Sequence, residues 1–196
     1  MTTKRKIAEA RSRPARKEDC AKIAALYRIS SDGVADYIWT KMAAHGEDVL
    51  DVGRRRYERE GTAFSYENCT ILEIRGEVAG MLVAFPMRVD PSHVETDPVL
   101  APYSKLEEDD SYYVCGVALF PEHRGSGLGS RMMALAEEHA RTKGFGKLSL
   151  IVFEANTGAK RLYERLGYKE VDREPIYPHP LLHCTGDAIL MVKALE

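Results

Sequence analysis

The residues with the clearest capacity for chemistry are Arg124-Gly125-Ser126-Gly127-Leu128-Gly129. They follow an apolar run, 111–120, and open an amphipathic run that begins at Leu128. Strand, glycine-rich turn and helix together form an anion cradle. Glycines let backbone N–H groups crowd onto one point, and the new helix adds unpaired amides and the positive end of its dipole. Further along, Asn156 stands where a helix cap is expected, and Tyr163 lies on the apolar stripe of the helix that follows.

The elements that must hold these residues are legible from periodicity. Cys20, Ile23, Ala24 and Tyr27 recur at helical spacing across 19–29, and Ser30-Ser31-Asp32-Gly33 breaks that helix. Two more helical pieces cover about 34–44 and 47–60; the second carries Arg54-Arg55-Arg56, read as a solvated face. A short edge strand is expected within 7–15. Residues 69–74 and 78–87 form a hairpin around Arg75-Gly76-Glu77. Prolines 91, 98 and 102 make the next stretch a loop, and Glu107-Glu108-Asp109-Asp110 a hydrated acidic turn. The run 111–120 is apolar enough for a strand covered on both faces. Leu128, Met132, Leu135, Ala136 and Ala140 stripe the following helix, which Gly144 ends. A buried strand over 147–153 comes next. Then follows a helix capped by Asn156 or Thr157, with Ala159, Leu162, Tyr163 and Leu166 inward. Strands over 168–173 and 188–195 finish the chain, with a Pro- and His-bearing loop between them. This order predicts an α/β (mixed α+β) fold, with a right-handed parallel crossover around the glycine loop.

A chain of 196 residues with 44% hydrophobic and 30% charged residues fits a single domain, 1–196, whose basic first dozen residues are expected to be a flexible tail. Net charge is −2, which gives no reason to expect a nucleic-acid partner. No apolar run approaches the ~20 residues of a membrane span, and no signal-peptide pattern opens the chain, so a cytoplasmic protein is expected. Cys20, Cys69, Cys115 and Cys184 are widely spaced and expected to be reduced. His179 and His183 are four apart, but Pro178 and Pro180 forbid a helix through them, so no metal is expected.

Three phosphate-binding patterns compete for the loop. A nucleotide P-loop needs a Lys-Ser or Lys-Thr after the glycines, and none follows. The dinucleotide fingerprint nearly fits through Gly125 and Gly127, but its third glycine is Ser130, and Pro121-Glu122-His123-Arg124 separates strand from glycines. The third pattern is Arg-x-x-Gly-x-Gly within Val-Ala-Leu-Phe-Pro-Glu-His-Arg-Gly-Ser-Gly-Leu-Gly, residues 117–129. A second block stands downstream: Asn156, Ala159, Leu162-Tyr163 and Leu166-Gly167-Tyr168. Together the two blocks resemble the GCN5-related N-acetyltransferases, the GNAT superfamily, over about 68–195.

The resemblance implies the family's fold, a mixed central sheet of about seven strands flanked by helices, with a splay between the fourth and fifth. It implies acetyl-CoA as acyl donor and no metal. The pyrophosphate would meet amides from Gly125 through Ser126, Gly127, Leu128 and Gly129 to Ser130, with Arg124 adding charge or bracing the loop. Pantetheine would pair with the strand of Val117, Ala118 and Leu119, and Asn156 would cap its helix and touch the pantetheine arm. Tyr163 matches the family's general acid. The implied reaction is direct transfer of acetyl to a primary amine, on a small molecule or a peptide N-terminus, in a ternary complex. A homodimer is open. The base is not legible: the usual strand positions hold Tyr113 and Ile151, leaving Asp110, Tyr112, Tyr113 and His183 as candidates. The acceptor groove would draw on 30–45 and 175–187, with Tyr37, Trp39, Tyr177, His179 and His183 lining it. The rival from another class is a non-catalytic acyl-CoA-binding regulatory module, to which the missing base lends support.

Overall fold

The structure, a computed structural model, describes residues 9–196. The expected basic tail thus lies outside the described residues up to position 8, and its end enters the first strand. The elements are β1 (Ala10–Pro14), α1 (Cys20–Ser30), α2 (Val34–Met42), α3 (Val49–Tyr57), β2 (Cys69–Ile74), β3 (Glu77–Met87), α4 (Ala101–Lys105), β4 (Ser111–Leu119), α5 (Leu128–Thr142), β5 (Lys147–Phe153), α6 (Thr157–Arg165), β6 (Lys169–Pro175) and β7 (Asp187–Ala194). The strands form one mixed sheet in the order β1-β2-β3-β4-β5-β7-β6. β4 and β5 run parallel, as the crossover requires. The chain divides into two compact units: residues up to Ala84 with Gly116–Ala134, and Phe85–Cys115 with Leu135–Glu196.

In the first unit, aromatic packing holds the helical layer. Tyr27 of α1 lies 6.2 Å from Trp39 of α2, 5.8 Å from Tyr57 of α3 and 6.0 Å from Phe64, centroid to centroid. Trp39 and Tyr57 are fully buried. The Arg54-Arg55-Arg56 face is ion-paired and stacked rather than free. Arg54 pairs with Asp51 and Glu58, Arg55 with Glu47, and Arg56 lies over Phe64. Arg13 of β1 clamps Asp19 at 2.7 Å and Glu73 at 2.7 Å, and its guanidinium holds the Asp19 carboxyl below its usual pKa.

The second unit is built on β7, which pairs antiparallel with β5 from Lys147↔Ala194 to Phe153↔Ala188 and with β6 on its other side. Ala188, Leu190, Leu106, Ile176 and Cys184 form a buried cluster, flanked by Tyr103, Ile151 and Phe153. The β4–β5 ladder covers just Tyr112↔Leu148 and Tyr113↔Ser149, although β4 is nine residues long. The expected splay between the fourth and fifth strands is therefore present. A buried contact of 2.7 Å between the Ser111 and Ser149 hydroxyls closes its narrow end. Ser111 also donates to Glu108 O at 2.8 Å. Its single proton is thereby committed, which makes Ser149 the donor to Ser111.

Gly53 sits inside α3 because a Cβ there would lie 2.6 Å from the Trp39 ring. Gly53→Ala should therefore destabilise by about 1–3 kcal/mol through overpacking. A urea titration checks this: the midpoint should fall while the slope stays unchanged.

Candidate active site

β4 ends at Leu119, and one 3-10 turn, Pro121–His123, carries the chain to the glycines. Phe120 N–H donates to Ala79 O at 3.0 Å. Position 80 must be glycine here, because a Cβ would stand 2.6 Å from Ala118 O and 2.5 Å from Leu119 Cδ2. The loop is braced from within. Ser126 is buried and its hydroxyl donates to His123 O at 2.6 Å, while Arg124 Nε donates to Leu119 O at 3.1 Å. Of the two roles expected for Arg124, bracing is the one the geometry displays. Gly125 and Gly127 have φ of 66° and 81°, left-handed values that suit glycine. The Arg131 amide donates to Gly127 O at 3.2 Å. Leu128, Gly129 and Ser130 precede it, so their amides belong to the helix start that has no intrahelical acceptor. The cradle read from the sequence is thus assembled within one unit.

β4 itself departs from expectation. It is not covered on both faces: Tyr112, Val114, Gly116 and Ala118 are buried, whereas Tyr113, Cys115, Val117 and Leu119 are half-buried. The strand alternates because one face packs into the core while the other stays partly open. Ala118 therefore turns its side chain inward, which leaves its backbone as the part a ligand could meet.

In the second unit, Asn156 caps α6, accepting from the Ala159 amide at 3.2 Å. Its neighbour Thr157 is the first helical residue instead. The apolar stripe of α6 is less enclosed than expected: Ala159, Leu162, Tyr163 and Leu166 are half-buried, and no residue of this helix is buried. Tyr163 lies 5.9 Å from the Tyr168 ring, centroid to centroid, and burial of its hydroxyl end pushes its pKa up to about 12. It therefore stays protonated throughout the neutral range.

The residues considered as bases separate clearly. Asp110 pairs with Arg88 at the surface, Tyr112 is buried 5.7 Å from Phe145, and His183 is exposed. Tyr113 packs edge-on to Phe85 at 5.6 Å, and desolvation drives its pKa well above the usual value, with Cys115, Glu107, Tyr103 and Tyr163 as electrostatic neighbours. Glu107 was folded into a hydrated acidic turn by sequence reasoning. Its neighbours are engaged: Glu108 pairs with Lys147, Asp109 accepts from the Val89 amide at 2.9 Å, and Asp110 holds Arg88. The Glu107 carboxyl has no ion pair among the described residues, and partial burial raises its pKa.

Residues assigned to the acceptor groove fare unevenly. Trp39 is entirely buried beside Tyr27 and belongs to the core of its unit. Tyr37 is half-buried, with the Lys41 ammonium 5.2 Å above its ring. His179 Nδ1 accepts from the Leu181 amide at 3.2 Å, which uses it to shape its own loop, and Tyr177 is exposed. No group of three or more His, Cys, Asp or Glu able to hold a metal occurs among the described residues.

The braced glycine cradle lies in one unit, and the capped helix bearing the protonated tyrosine lies in the other. The chain belongs to the acetyltransferase (GNAT) family, whose model matches residues 34–168. It is 38% identical over 92 residues to a mycothiol acetyltransferase of Thermobispora bispora, covering 47% of this chain and 28% of that protein. It is 35% identical over 72 residues to the ribosomal protein bS18-alanine N-acetyltransferase of Haemophilus influenzae, covering 36% and 49%. The match thus spans about half or less of these relatives. A solved acetyltransferase structure shares the fold at a TM-score of 0.66 and 22% identity, covering 95% of this chain and all of that one.

Asn156→Ala should cost about 1 kcal/mol by uncapping α6. Hydrogen exchange of the Gly158–Lys160 amides should accelerate, with Asn156→Asp restoring protection. Unchanged exchange would show that the helix start is held by something other than this cap.

Proposed function

We propose that the protein transfers an acetyl group from acetyl-CoA to a primary amine by direct attack in a ternary complex. The observation that carries this reading is Tyr163, a phenol kept protonated by burial, at the position that the family resemblance gives to the general acid. A thiolate with an ordinary pKa of about 8.5 is not forced to leave as an anion when such a donor is at hand. The chain's own groups divide the work. The loop amides from Gly125 to Ser130 bind the pyrophosphate through crowded N–H donors. The β4 backbone over residues 117–119 orients the pantetheine, and Asn156 caps the helix that carries Tyr163.

The amine acceptor is a small molecule or a peptide N-terminus. The names of the two relatives support this class, since one denotes an alanine N-acetyltransferase of a ribosomal protein. We place the reaction in the cytoplasm, where thiols such as these four cysteines, none in a disulfide among the described residues, stay reduced. No helix among the described residues is long and apolar enough to cross a membrane. A non-catalytic acyl-CoA-binding module is the second reading. The absence of a carboxylate at Tyr113 and Ile151 favours it.

Thiol release from acetyl-CoA, followed over amino acids, polyamines, aminoglycosides and peptides with free N-termini, decides between them. At least one amine should be acetylated. Tyr163→Phe should then lower kcat about 100-fold while CoA affinity changes less than about 3-fold (~0.6 kcal/mol). Acetyl-CoA binding with no amine ever acetylated would establish the binding module instead.

A further inference from the structure

The acid of the reaction has a clear residue, whereas the strand positions for a base hold Tyr113 and Ile151. The geometry points to Glu107 as the group that takes the proton from the acceptor's ammonium, an assignment that rests on the amine-acetylating reading above.

Glu107 follows the C-cap of α4, and its place is fixed from both sides. Leu106, the C-cap of α4, is fully buried in the cluster with Ile176, Cys184, Ala188 and Leu190. On the other side, Ser111 holds Glu108 O at 2.8 Å, and Ser111 contacts Ser149 at 2.7 Å. Because Tyr113 and Ser149 are registered across the ladder, their side chains share one face of the sheet. Period-two alternation puts Ser111 and Cys115 of β4, and Ile151 and Phe153 of β5, on that face too. Tyr103 of α4 packs over it, 6.2 Å from Phe153, centroid to centroid. The acidic turn is therefore pinned against the half-open face of β4, at the end where β4 and β5 still pair.

The groups facing this spot are few. Tyr103 comes from α4, Tyr113 and Cys115 from β4 and Tyr163 from α6; all four share one electrostatic neighbourhood with Glu107 around the Tyr113 phenol. His93, from the preceding loop, acts on Glu107 electrostatically, against the larger effect of burial. Lys105 and Lys147, the nearby lysines, are committed to Glu174 and Glu108. The phenols are neutral, so Glu107 is the one anion of the set with no ion-pair partner among the described residues, and it remains exposed on one side. A cationic amine finds here a carboxylate among aromatic rings, and protons it surrenders have a way out to water. Partial burial also brings this carboxyl's pKa closer to neutrality, where a base works best.

The proton balance closes. Glu107 takes one proton from R–NH3+ and later releases it to solvent. The neutral nitrogen attacks the thioester carbonyl, the C–N bond forms and the C–S bond breaks. Tyr163 protonates the departing sulfur and is reprotonated by the proton that the acylated nitrogen loses.

The test uses the full chain, acetyl-CoA and the panel amine with the highest turnover. Glu107→Gln should lower kcat about 100-fold, with the acceptor KM changed less than about 3-fold and the thermal midpoint unchanged. The pH profile provides a readout that a structural role would not move. In the wild type, log kcat/KM should level off well below the amine's own pKa, because Glu107 deprotonates the bound ammonium. In Glu107→Gln it should keep rising by one unit per pH unit up to that pKa, since only free amine then reacts. Glu107→Asp, which keeps the charge, should retain part of the rate and the plateau, and it decides the matter if the glutamine variant melts early. Glu108→Gln should leave the profile as it is. A Glu107→Gln enzyme with wild-type kcat and plateau overturns the assignment while leaving the acetyltransferase reading intact, as does an effect confined to KM, which would mark simple steering of cations. A wild-type protein that acetylates no amine overturns both.

Discussion

The proposed function depends on one constraint: β4 must hydrogen-bond to β5 at its start and leave it afterwards. Parallel strands that stay paired satisfy each other's N–H and C=O groups. Strands that part leave theirs available. The parting is anchored by Tyr112↔Leu148, Tyr113↔Ser149 and the buried serine contact beside them. Two hydroxyls in a core would be costly alone; bonded to each other and to Glu108 O, they are satisfied. The same bond that closes the ladder ties down the acidic turn, so strand divergence and the placement of Glu107 share one cause.

Burial then sorts the ionisable groups. Tyr113 and Tyr163 have phenols whose charged forms are penalised by desolvation, so both remain neutral donors. Three of the four acidic residues in 107–110 are ion-paired or hydrogen-bonded, and the remaining one is partly desolvated. The proposed acid and base are separated by environment rather than by residue type alone: one oxygen acid is kept protonated by burial, and another keeps a solvent-facing side.

Much of this was legible beforehand. The hairpin around Gly76, the strand over Lys147–Phe153 and the helix capped by Asn156 are present close to their expected limits. Glycine, asparagine and alternating apolar residues act locally, through backbone freedom and capping. Trp39 was misplaced for the opposite reason. An aromatic residue on an amphipathic helix can face a groove or a core, and here the absence of a side chain at Gly53 draws it inward. The coverage of β4 was also misjudged, because an apolar run does not say which of its faces is packed.

The sequence by itself determined the anion cradle and the family, since both lie in short, contiguous spacings: Arg124 to Gly129, and Asn156 to Tyr168. It is the tertiary structure that leaves the Glu107 carboxyl alone of the four without an ion-pair or hydrogen-bond partner among the described residues. The four acidic residues of 107–110 are adjacent and chemically alike. What separates them is the distant partners, Lys147, Val89 and Arg88, that the fold brings to three of them. Local order is set by bonds along the chain, whereas charge pairing and desolvation are set by what packs across it.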